Sequence, residues 1–108
     1  MIDKDKIAKS ASVYGEHAGQ FIRLTLKDAG NFFQEIKDSI ASGDADGLKI
    51  AAHSLKSIMR QAGADDIADF AAVLEEKGRN NACADAVEDL SRMEGVFFET
   101  VAAMQELA

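Results

Sequence analysis

In the stretch "AAHSLKSIMRQAG", residues 51–63, His53 has three cations near it at helical spacing: Lys49, Lys56 and Arg60. Imidazole can act as a nucleophile, a proton carrier or a metal ligand, and its ordinary pKa of about 6.5 leaves much of it neutral at neutral pH. A lone histidine beside a solvated basic edge is an equally simple account. The residue types by themselves leave the two open.

The helix that must carry these residues can be drawn as a wheel at about 100° per residue. Ile58, Ala51, Ala62, Leu55, Leu48, Met59 and Ala52 then fill one apolar arc of roughly 120°. Lys56, Lys49, Arg60 and His53 follow directly beside it, within roughly 60° of one another. His53 is therefore expected on the shoulder of the helix, at the core edge but accessible. Ser57, Ile50 and Gln61 come next, and an exposed Ile50 is a candidate partner contact.

The remaining sequence supplies the scaffold. Small polar stretches at "SGDADG" (42–47), "AGADD" (62–66) and "KGRNN" (77–81) divide the chain into four long segments. From about 17 to 42, Ile22, Leu26, Ala29, Phe33, Ile36 and Ile40 alternate at spacings of three and four, with Gly43 placed to end the helix. Asp44 is a good N-cap for the His53 helix. A third helix, about 65–77, presents Ile67, Phe70, Ala71 and Leu74; a fourth, about 82–107, presents Val87, Leu90, Met93, Phe97, Val101 and Met104. A short extra N-terminal helix over residues 3–13 would be capped by Asp3 and anchored by Ile7 and Tyr14. The expected fold is all-α, a single domain over residues 1–108, with the four long helices in an antiparallel up-down-up-down four-helix bundle. Gly30, Gly47 and Gly95 fall within or near the starts of helices, each at a cost of about 1 kcal/mol relative to Ala.

Composition narrows the function. A net charge of −7 distributed along 108 residues argues against nucleic acid as a partner, so any basic function must be local. The lone Cys83 cannot form an internal disulfide and reads as a small apolar residue, which suits a reducing compartment. With no apolar run to span a bilayer and no signal-peptide core in "MIDKDKIAKS", a cytoplasmic protein without membrane contact is expected.

The extended pattern "GDADGLKIAAHSLK", "GADDIADFAAVLEEKG" and the last helix resembles the histidine-containing phosphotransfer family of two-component phosphorelays. That resemblance implies that His53 accepts a phosphoryl group through Nε2 from an aspartyl phosphate on one receiver domain and passes it to another. It also implies that Lys56 is the family's lysine, and that Glu75 takes the position of a Gln or Glu that accepts a hydrogen bond from Nδ1 of the histidine. Lys49 and Arg60, on the same strip, are expected to help neutralise the phosphoryl oxygens. Ile50, Ser54, Ser57 and Gln61, with apolar residues of the first long helix, form the expected docking surface. The family usually has glycine where this chain has Ser57, which implies an altered docking surface rather than loss of function. Partners would be response-regulator receivers, with a hybrid sensor histidine kinase as a further candidate. The chain itself would be a monomer without cofactor, and Mg²⁺ would sit on the receiver.

Three other readings compete. Sensor kinases carry a histidine on a helical hairpin, but their histidine box normally includes proline, and this chain has neither proline nor a Gly-rich ATP segment. Autokinase or ATPase activity is therefore not expected. A di-iron bundle would need Glu-x-x-His pairs, yet Ile50 and Tyr14 stand three residues before His53 and His17, so no metal site is expected and His17 reads as a surface or packing residue. A helical docking module that binds signalling proteins without carrying phosphate is the remaining alternative.

Overall fold

The computed structural model describes residues 2–108. Among these, the chain is all-helical: α1 (Lys4–Ser12), α2 (Ala18–Ser42), α3 (Ala45–Gln61), α4 (Asp65–Arg79) and α5 (Val87–Leu107), with 3-10 turns at Gly15–His17 and Cys83–Ala86. In the ring of long helices, α2 packs on α3, α3 on α4, α4 on α5 and α5 back on α2, while α1 lies against α2 and α5.

Local signals account for several helix ends. The Asp3 carboxylate accepts from the Lys6 amide at 3.0 Å and that of Asp44 from the Gly47 amide at 2.9 Å, so both expected N-caps form. Gly43 ends α2 in the left-handed region. Two expectations need correction. Tyr14 is not an anchor within α1, because that helix stops at Ser12; the residue is 38% exposed and its ring stacks on Phe21 at 4.2 Å. Val87 is 57% exposed, because the 3-10 turn before it offsets the start of α5, whereas Met93, Phe97 and Met104 are buried as expected.

The core that fixes α3 lies along its predicted arc. Leu48, Ala51, Ala52, Leu55 and Met59 are at most 2% exposed, and each fully buried Leu or Met contributes about 1.5–3 kcal/mol. Between α2 and α5, Phe33 and Phe97 meet at 4.3 Å between ring centroids.

Two glycines bring elements unusually close. Gly63, at the α3–α4 corner, has φ +81°, and a Cβ there would lie 2.8 Å from the Lys6 carbonyl oxygen. The α1 backbone thus rests on this corner, where the Lys6 ammonium also pairs with Asp65. Near the other end of α4, a Cβ on Gly78 would stand 2.7 Å from the Lys49 amide nitrogen and 2.9 Å from the Ala45 carbonyl oxygen. Backbone therefore meets backbone where α4 passes the first turns of α3. That approach places the last turns of α4 beside His53.

Candidate functional site

His53 occupies the shoulder of α3, its side chain 59% exposed, with the buried alanines Ala51 and Ala52 behind it. Facing it from α4 is Glu75, whose side chain is only 8% exposed. Burial alone would raise the Glu75 pKa by disfavouring the charged form. Hydrogen bonds from Lys56 and His53, and the charges of both, outweigh it and hold the carboxyl below the ordinary glutamate range. At neutral pH Glu75 is a carboxylate.

Its two oxygens divide their partners. Lys56 Nζ donates to Oε1 at 2.6 Å, while Nδ1 of His53 lies 2.9 Å from Oε2. A carboxylate can only accept, so the His53 contact requires the ring proton to be on Nδ1. In the neutral imidazole this leaves the Nε2 lone pair free. The buried acid thus selects which ring nitrogen can act as a nucleophile.

The other cations are placed differently. Lys49, one turn before His53, lines a cleft of roughly 400 Å³ together with Ile50, His53, Ser54, Glu75 and Arg79. Its ammonium lies 3.9 Å from Asp46, a distant contact. Arg60 does not line this cleft; it is held by Asp69 at 3.0 Å and lies 3.9 Å from Asp65. The wheel gave its angle correctly but not its height, since seven residues separate it from His53, about 10 Å along the axis.

Arg79 was not among the residues singled out from the sequence. Its guanidinium donates to Glu75 Oε2 at 3.3 Å and also pairs with Glu76. Its spacing of four from Glu75 on a helix was the available signal.

The residues expected to dock a partner form one stripe at spacings of four, three and four. Ile50 is 63% exposed, Ser57 and Gln61 are exposed, and the half-buried Ser54 donates its hydroxyl to the Ile50 carbonyl at 3.1 Å. The Gln61 side-chain amide donates to the Tyr14 hydroxyl at 3.1 Å, and Tyr14 in turn stacks on Phe21 of α2. The stripe therefore continues onto an apolar residue of the first long helix through Tyr14. His17 is exposed at the end of its 3-10 turn.

Among the described residues, no group of three or more His, Cys, Asp and Glu side chains is arranged to hold a metal ion, and no helix is long and apolar enough to cross a membrane. The sequence profile of the Hpt domain matches residues 20–107. The crystal structure of histidine-containing phosphotransfer protein B (HptB) from Pseudomonas aeruginosa PAO1 is similar in fold, with a TM-score of 0.88 and 22% sequence identity over 97% of this chain and 91% of that one. The curated proteins include no match to this sequence.

Proposed function

The chain belongs to the Hpt domain family, whose members work with response-regulator receiver domains in two-component relays, and we propose that it is a phosphorelay intermediate using His53. In this reading Nε2 accepts a phosphoryl group from the aspartyl phosphate of one receiver and yields it to another. The observation that carries the reading is the pairing of a buried, ionised Glu75 with Nδ1 of His53 at 2.9 Å.

The chemistry balances without a base. The Nε2 lone pair forms the N–P bond as the P–O bond to the receiver aspartate breaks. The electron pair of that bond leaves with the aspartate as a carboxylate, and the proton on Nδ1 stays where it was. The ring gains positive charge, which the Glu75 carboxylate opposes across its 2.9 Å contact. Transfer onward reverses the same steps. Lys56 holds Glu75 in place, and Lys49 is the cation of α3 available to the phosphoryl oxygens.

The helices serve this chemistry as one domain, running alternately up and down; short connections and the closed ring of packing support that arrangement. The chain acts as a cytoplasmic, monomeric carrier without ATPase or autokinase activity and without a cofactor of its own, Mg²⁺ being supplied by the receiver. Ile50, Ser54, Ser57 and Gln61 meet that receiver. A hybrid sensor kinase carrying such a receiver is a fitting donor.

Incubation with a phosphorylated receiver and Mg²⁺ should give an acid-labile, base-stable phosphoryl adduct that is absent from His53→Gln. An unlabelled wild-type chain across all receivers tried would contradict the reading.

A further inference from the structure

Arg79 is over-committed in the unphosphorylated site. Glu75 already accepts from Lys56 at 2.6 Å and from His53 at 2.9 Å, and the Arg79 contact, on the same oxygen as His53, is the longest of the three at 3.3 Å. The Arg79 side chain is also 54% exposed, unlike Lys56 at 28%. It lines the cleft that His53 opens into, and it is tethered there because the adjacent Gly78 seats the α4 backbone on Lys49. Arg79 can leave Glu75 without stranding a buried carboxylate, since two partners remain.

A phosphoryl group on Nε2 would bring two or so negative charges into this cleft. The planar guanidinium fork matches phosphoryl oxygens better than it matches one oxygen of an already paired carboxylate. We propose that Arg79 is a phosphoryl-binding residue of this site, exchanging its contacts with Glu75 and Glu76 for the oxygens of phosphorylated His53. The inference rests on the carrier reading above and adds to it a cation from the second helix. The two helices then grip the group from both sides, Lys49 from α3 and Arg79 from α4. Lys56 stays on Glu75 as a positioning residue.

The test loads wild type, Arg79→Ala and Arg79→Lys with phosphoramidate, a small phosphoryl donor that needs no docking surface, and titrates the phosphohistidine by ³¹P NMR. A cation in contact with the oxygens lowers the pH at which the phosphoryl dianion takes up a proton. Arg79→Ala should raise that midpoint by about half a unit or more, and Arg79→Lys should restore most of the difference. Because the midpoint reports the charge next to phosphorus, a purely structural role for Arg79 would not produce the Lys rescue. A labelled wild type with the same midpoint in all three proteins overturns the role of Arg79 and leaves the carrier reading standing. A wild type that takes no label on His53 from phosphoramidate or from any receiver overturns both.

Discussion

Glu75 reaches from α4 to α3 and meets Nδ1 of His53 at 2.9 Å, while its other oxygen is held by Lys56 at 2.6 Å. One buried carboxylate thereby joins His53 to the lysine three residues after it, through a residue 22 positions away in the chain. The consequences of that join can be measured.

Replacing Glu75 with Gln keeps a carbonyl oxygen for Nδ1 but removes the charge proposed to oppose that of a phosphorylated ring. Replacing it with Ala removes both. A charge-assisted hydrogen bond is worth about 1.5–3 kcal/mol, so Glu75→Ala should slow transfer from a phosphorylated receiver by about 10–100-fold, and Glu75→Gln by clearly less. Rapid-quench transfer assays would show this; equal and negligible effects would remove Glu75 from the site.

The depressed Glu75 pKa also predicts a pH dependence of stability. A carboxyl whose pKa is lower in the folded state stabilises the fold fully above its unfolded value, about 4.3. That contribution is lost as the pH falls through the folded value. Urea unfolding should therefore find wild type more stable than Glu75→Gln at pH 7, with the gap narrowing at pH 3. Lys56→Ala should raise the Glu75 titration midpoint seen by ¹³C NMR and slow transfer, with helix content unchanged.

Gly78 sets the distance between α3 and α4. A methyl group there would press on the Lys49 amide and the Ala45 carbonyl, both backbone groups that cannot rotate away. Gly78→Ala should cost about 1–3 kcal/mol despite the better helix propensity of alanine. Calorimetry should find Tm lowered by roughly 5–15 °C. An unchanged or raised Tm would mean that the helices can separate at no cost.

Ser57 stands in the stripe proposed to dock a partner and does not touch Glu75, so its effect should fall on the partner and not on the chemistry. Ser57→Gln should reduce transfer from a receiver by about tenfold, equivalent to 1.4 kcal/mol of docking. Loading by phosphoramidate should stay as in wild type. If both fall together, Ser57 acts on His53 itself.

The sequence made the α3 site half legible, for physical reasons that can be traced residue by residue. The caps at Asp3 and Asp44 and the seam from Leu48 to Met59 follow from interactions within one helix, and these were readable. Val87 and Tyr14 were misplaced because the 3-10 turns next to them shift the helical phase, and no strong residue signal marks such turns. Arg60 and Lys49 looked alike on the wheel, but only Lys49 reaches the cleft; Asp69, on the next helix, claims Arg60. Arg79 escaped notice because the cleft lies between two helices, whereas a wheel describes one.

The most direct test of the account is ¹⁵N NMR of the His-labelled chain after reaction with a phosphorylated receiver. Coupling to phosphorus at Nε2 of His53, with the proton retained on Nδ1, is the predicted result. Phosphorus on Nδ1, or on His17, would contradict it.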